Sequence, residues 1–192
     1  MLNKKEFCKI REDFDSYELK REKIVRKSRD IVKLSKQIIY SVHRRELDKA
    51  NKLIKQIKKE LSELKKIAKT NLRLLFSGSN KIAEQEAVEA IVYYSIIKDK
   101  KLPSLKELDV DPEHYLLGIC DLTGELVRNA VNSVTQGDFK TPLIIKEFVQ
   151  DLYHELQMFD FRNSELRRKV DAMKYDLKKL EDLALQIKLN EK

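Results

Sequence analysis

The feature that most restricts the fold is the scarcity of residues that let a chain turn: four Gly and three Pro in 192 residues. From Lys4 to about Arg45 there is neither. Sheets and loop-rich folds need turn residues at every reversal, so this chain has room only for a few long helices. The apolar pattern agrees. Ile24, Ile31 and Ile38 recur every seven residues beside Val25, Val32 and Ile39, which makes one side of a long amphipathic first helix. A second helix is expected from Leu47 to about Ser77, with Leu53, Ile57, Leu61, Leu64 and Ala68 at three- and four-residue steps. Ser77-Gly78-Ser79-Asn80 stops it, and Ser79 or Asn80 is expected to cap a third helix reaching about Lys100.

Between Lys100 and Pro112 lies a linker with Pro103 and a short helical turn after Ser104. Asp111 then caps a fourth helix whose first position is Pro112 and whose end is Gly137-Asp138. Thr141-Pro142 repeats that start for a fifth helix, fading near Phe161. A sixth begins after Asn163, with Leu166, Val170, Met173, Leu177, Leu180, Ala184 and Ile187 in four-three spacing. Such a stripe needs partner helices, within the chain or across a subunit interface. Residues 1–192 therefore read as one all-α domain, a bundle of about six long antiparallel helices. Periodicity alone is equally met by a generic bundle or a coiled-coil adaptor.

Charge is distributed unevenly. The formal net charge is +8, yet residues 1–70 hold 22 Lys and Arg against 11 Asp and Glu, a net +11 that leaves −3 for the rest. A polyanion such as RNA or DNA is the default partner for such a field, with an acidic membrane surface as the competitor. On the first helix Arg26, Arg29, Lys33, Lys36 and His43 fall on one face, opposite Ile24, Ile31 and Ile38, and Arg44 and Arg45 extend the row. A rigid row of cations can follow a phosphate backbone and release its counterions; the alternative is a solvated helix face. Cys8 and Cys120 stand far apart with no CxxC or His cluster, so neither a disulfide framework nor a zinc site is indicated. No apolar run has bilayer length and no signal-peptide core follows Met1. A cytoplasmic protein with reduced thiols and no membrane partner is expected.

Two acidic pairs sit among apolar and small residues. Asp121 and Glu125 are one turn apart on the fourth helix; Glu86 and Glu89 are three apart on the third. Ionised carboxylates in apolar surroundings are costly without a compensating cation, which Arg128 or a metal would provide. If the third and fourth helices pack antiparallel, four carboxylates converge, and oxygen-only ligation suits Mg²⁺ or Mn²⁺. Gly118 and Gly124 weaken the fourth helix and point to close approach of another backbone. No P-loop, GxGxxG, HExxH or Ser-His-Asp signature accompanies them.

The same residues carry a resemblance. Arg21-Glu22-Lys23, Ser28-Arg29-Asp30, Ser35-Lys36 and His43-Arg44 resemble the first helix of the translin/Trax family. Tyr115-Leu116, Gly118, Glu125-Leu126 and Val131-Asn132-Ser133-Val134-Thr135-Gln136-Gly137-Asp138 are similar to its fourth long helix. Asn163-Ser164-Glu165-Leu166-Arg167-Arg168 and Lys174-Tyr175-Asp176-Leu177 resemble translin's last. Asp121-Leu122-Thr123-Gly124-Glu125 and Gln85-Glu86-Ala87-Val88-Glu89-Ala90 resemble the catalytic Trax branch, with Ala87 replacing an aromatic residue, so a single chain combining both branches is implied. The resemblance implies a closed hollow homo-oligomer, an octamer, that binds single-stranded RNA, with single-stranded DNA or short duplex RNA as alternatives. It further implies a Mg²⁺-dependent endoribonuclease in which Glu86, Glu89, Asp121 and Glu125 hold the ion (Mn²⁺ substituting) that activates water. Arg26, Arg29, Lys33, Lys36, His43 and Arg44 are the implied RNA contacts. A non-catalytic nucleic-acid-binding shell is the alternative.

Overall fold

In the computed structural model, which describes residues 2–162 and 164–190, α1 runs unbroken from Lys4 to His43. Asn3 caps it, its side chain accepting a hydrogen bond from the Glu6 amide at 3.3 Å. The chain reverses through Arg45, in the left-handed region at φ 60°, into α2 (Leu47–Ala68). Lys27 ties the two helices, its Nζ donating to Glu60 at 2.9 Å and to Glu63 at 2.5 Å. Ile24, Ile31 and Ile38 of α1 and Ile57, Leu61, Leu64 and Ala68 of α2 are buried as their spacing requires.

The second helix is shorter than expected. It ends at Ala68, because Asn71 adopts an extended backbone and caps a separate one-turn helix, α3 (Leu72–Leu75). The next helix, α4 (Gly78–Asp99), is capped by Ser77 rather than Ser79 or Asn80, with Gly78 as its first residue. The turn expected after Ser104 is α5 (Leu105–Leu108), closed by a capping box between Ser104 and Glu107. As read from Asp111 and Pro112, α6 spans Pro112–Thr135. Asp138 accepts from the Lys140 and Thr141 amides at the start of α7 (Lys140–Gln157), so the helix begins one residue before Thr141-Pro142. Finally α8 runs Glu165–Asn190; Asn163, just ahead of it, lies outside the described residues. No strand occurs among the described residues.

Neighbours joined by short turns are antiparallel, but α4 and α6 are parallel. Lys81 pairs with Glu113, Gln85 with Asp121, and Tyr93 with Asn129, so both helices ascend together. The connection through α5 makes this possible by travelling back along the bundle. Buried Glu84 fixes its end, accepting from the Asp111 amide at 3.1 Å and bonding His114 Nδ1 at 2.8 Å. The last helix runs parallel to α6 as well: Asp121 meets Lys169, and Thr123 donates to Asp176 at 2.9 Å. The stripe of α8 finds its partners inside the chain, with Leu166, Val170 and Met173 packed on Leu117, Cys120 and Leu156.

Gly118 is where α4 and α6 come closest. A Cβ there would lie 2.6 Å from the Gln85 carbonyl oxygen and 2.8 Å from Val88 Cβ, whereas at Gly124 the nearest atom is 4.0 Å away. The close approach expected at both glycines exists only at Gly118. Gly118→Ala should therefore push the helices apart and destabilise by about 1–3 kcal/mol. Gly124→Ala should instead gain up to about 1 kcal/mol of helix propensity. Urea denaturation of the two variants, expected to shift in opposite directions, checks this.

Candidate functional site

Close contact at Gly118, with Ala83, Ala87 and Ala90 keeping α4 thin, is what brings the acidic pairs together. Glu86 and Glu89 of α4 lie near enough to Asp121 of α6 to feel its charge, and Glu89 near enough to Glu125, so the four are neighbours despite the parallel packing. Their mutual influence registers on Glu89, whose carboxyl is pushed up to about 8, first by burial and then by Asp121, Glu86 and Glu125. Burial raises Glu86 as well, with Lys36 opposing and Asp121 adding to the shift. Two of the four already have side-chain partners within the protein. Asp121 receives Lys169 on one oxygen and Gln85 Nε2 on the other at 2.5 Å, and Glu125 receives His43, with Arg128 farther off at 3.8 Å. Neither Glu86 nor Glu89 has a hydrogen-bond or ion-pair partner among the described residues. As the side chains stand, no three His, Cys, Asp or Glu among the described residues are close enough together to hold a metal ion.

His43 packs against this acidic group and is not exposed like the rest of the cationic row. Its side chain is 7% exposed, its Nε2 contacts Glu125, and its Nδ1 lies 3.1 Å from the Tyr93 hydroxyl. Asn129 Nδ2 donates to that same hydroxyl at 3.1 Å. The chain of bonds has one consistent direction for a neutral imidazole: Asn129 to Tyr93, Tyr93 to His43 Nδ1, His43 Nε2–H to Glu125. Burial holds the Tyr93 phenol well above its usual range, so it remains a donor. This fixes the His43 tautomer and aims Glu125.

The rest of the row is placed as read. Arg26, Arg29, Lys33, Lys36 and Arg44 are exposed, and Lys36 lies close enough to Glu86 to lower its pKa. The cationic face of α1 thus leads to the edge of the acidic group. On the far side an open cleft of about 170 Å³ is lined by Asp121, Thr123, Lys169 and Asp176. Lys169 and Asn129 went unread in sequence; Gln85, within the Gln-Glu-Ala-Val-Glu-Ala segment, had a signal. Cys8 is exposed and Cys120 buried, both are free, and burial pushes the Cys120 thiol up to about 12. No described helix is long and apolar enough to cross a membrane.

A helical bundle with four neighbouring carboxylates on parallel inner helices, flanked by a cationic helix face, is the class these observations define. The chain belongs to the Translin family, whose model matches residues 19–191. An uncharacterized protein of Methanocaldococcus jannaschii is 34% identical over 83% of this chain and 72% of its own length. Chicken (Gallus gallus) translin is 40% identical over 42% of this chain, a match spanning 35% of the translin. Translin-associated protein X of Mus musculus is 26% identical over 95% of this chain and 77% of its own. Among solved structures, apo-NeC3PO has TM-score 0.89 at 30% identity, covering 97% of this chain and 98% of that one. The fold also matches AfC3PO in a duplex RNA complex, TM-score 0.87 at 24% identity, over 96% of this chain and 97% of that one.

Proposed function

We propose that this chain is a subunit of an oligomeric helical shell that binds RNA and cleaves it by divalent-metal-dependent phosphodiester hydrolysis. The observation that carries the reading is Glu89: a half-buried, desolvated carboxylate near three others, with no hydrogen-bond or ion-pair partner among the described residues. A donor set of carboxylates alone fits Mg²⁺ or Mn²⁺. Glu86, Glu89, Asp121 and Glu125 would hold the ion, which when bound supplies Lewis-acid activation and charge neutralisation for hydrolysis. Asp121 and Glu125 would give up Lys169 and His43 to it, leaving Lys169 free to face a phosphate. Until then Tyr93 and His43 orient Glu125. Kinship with translin-associated protein X, and the duplex RNA bound by the fold neighbour AfC3PO, support RNA as the substrate.

Labelled single-stranded RNA should be cut in Mg²⁺ and left whole in EDTA. Binding without cutting would support the second reading, a non-catalytic nucleic-acid-binding shell. That reading is favoured by one observation, that Lys169 and His43 already compensate Asp121 and Glu125. In either case the phosphates are read by Arg26, Arg29, Lys33 and Lys36. Charge reversal at Arg29 or Lys36 should weaken RNA affinity and flatten its dependence on salt by about one unit of log–log slope per lost phosphate contact. Filter binding across a salt series measures this, and unchanged affinity moves the RNA surface elsewhere.

A further inference from the structure

The start of α1 carries a surface that the bundle does not use. The stripe that α1 buries at Ile24, Ser28, Ile31, Ser35, Ile38 and Val42 continues toward the N-terminus at the same steps through Tyr17, Phe14, Ile10 and Phe7, interrupted only by Arg21. Cover ends at Tyr17, which is half-buried with the Arg73 guanidinium 6.0 Å from its ring. Beyond it Phe14, Ile10 and Phe7 are 60, 54 and 52% exposed. Between Tyr17 and Lys4 the helix runs on alone for roughly 20 Å at about 1.5 Å per residue. Its Asn3 cap and continuity with the buried part of α1 hold it helical, because nucleation has already occurred.

We propose that residues 4–20 pair antiparallel with the same segment of a second copy of this chain, about a two-fold axis near Glu12. The inference is independent of any catalytic role. The spacing of the stripe is symmetric: on reversal Phe7 faces Tyr17 and Ile10 faces Phe14, so an identical helix offers a matching apolar surface. Charge is complementary in that register. Lys4 flanks Glu18 of the other copy, and Glu6 flanks Lys20, each pair occurring twice by symmetry. The like charges that meet near the axis each have an opposite charge at i,i+4 spacing on their own helix, Arg11 with Asp15 and Asp13 with Lys9, within reach to offset the repulsion. A parallel pair gains Glu6 beside Arg11 but sets Asp13 beside Glu18. Residues 4–20 carry five Lys and Arg and five Asp and Glu, a balance that suits neither a polyanion nor an acidic membrane.

The test uses the full chain in a Cys8→Ser background, co-expressing a tagged Ile10→Cys form with an untagged Phe14→Cys form. After mild oxidation, peptide mass spectrometry should find position 10 of one copy joined to position 14 of the other as the dominant cross-link. Adding Lys20→Glu to both forms should cut that yield several-fold, and adding Glu6→Lys on top should restore it. Circular dichroism should stay unchanged throughout, since these positions are solvent-exposed or half-buried at the overhang. Absence of the cross-link, dominance of links between like positions, or yield indifferent to Lys20→Glu would each overturn the proposal.

Discussion

Asp121→Asn is expected to lower RNA cleavage about a thousandfold or more, while assembly and RNA affinity stay close to those of the unchanged chain. The size follows from charge stabilisation: losing one ionised ligand of a catalytic cation costs several kcal/mol in the transition state, at about 1.4 kcal/mol per tenfold in rate. The fold should tolerate the change. Asn retains one oxygen for Lys169, and Gln85, now 2.5 Å from the other Asp121 oxygen, can turn its amide to accept from the new NH₂. What is lost is one partly exposed ion pair, and such pairs contribute about 0–1 kcal/mol. Cleavage rates in Mg²⁺, RNA affinity in EDTA and sedimentation mass separate these effects. Full activity in the variant would remove Asp121 from the chemistry; lost activity with lost assembly would make it structural.

Helices were legible where the stripe and its punctuation were both present. The Pro112 start and the Gly137 end of α6 were read from single residues. The break between α2 and α3 was not, because Lys69-Thr70-Asn71 holds neither Gly nor Pro and the apolar spacing runs across it. Helix direction was also beyond local pattern. Nothing in the linker residues between Asp99 and Pro112 reveals that the chain doubles back, which depends on Glu84 gripping Asp111 and His114. The acidic pairs came together all the same, since which face a residue occupies depends on its own helix and not on the partner's direction. His43 shares the row's edge with Lys36, only about 20° away at about 100° per residue, so helical angle alone does not separate the two. What buries His43 is its neighbours, Tyr93 of α4 and Glu125 of α6, which its own helix does not reveal.

Divalent-ion affinity is expected to rise about tenfold per pH unit up to pH 8, roughly 100-fold between pH 6 and pH 8, and then level off. The cause is Glu89, whose carboxyl is pushed up to about 8, so at pH 7 the metal-free side chain is mostly protonated and an entering ion must displace that proton. Glu89→Gln should weaken the binding of Mn²⁺ and flatten its pH dependence together, which titration followed by electron paramagnetic resonance would measure. The same shift sets an opposite trend in stability without metal. Unfolded, the side chain has its ordinary value of 4.5; folded, it holds its proton to about 8, so between these limits the folded state binds more protons. Stability from this group is complete below about pH 4.5 and declines as pH rises toward 8, where the crowded carboxylate finally ionises in place. Glu89→Gln never ionises, so in EDTA its melting temperature should gain on that of the parent chain between pH 6 and pH 9, by the equivalent of a few kcal/mol. A difference that stays constant across that range would mean Glu89 is not the desolvated, unpaired carboxylate that the metal reading requires. A difference that grows in EDTA and reverses in Mn²⁺ would be hard to obtain from any other arrangement, since it requires one group to oppose folding when alone and to favour the metal-bound fold when neutralised.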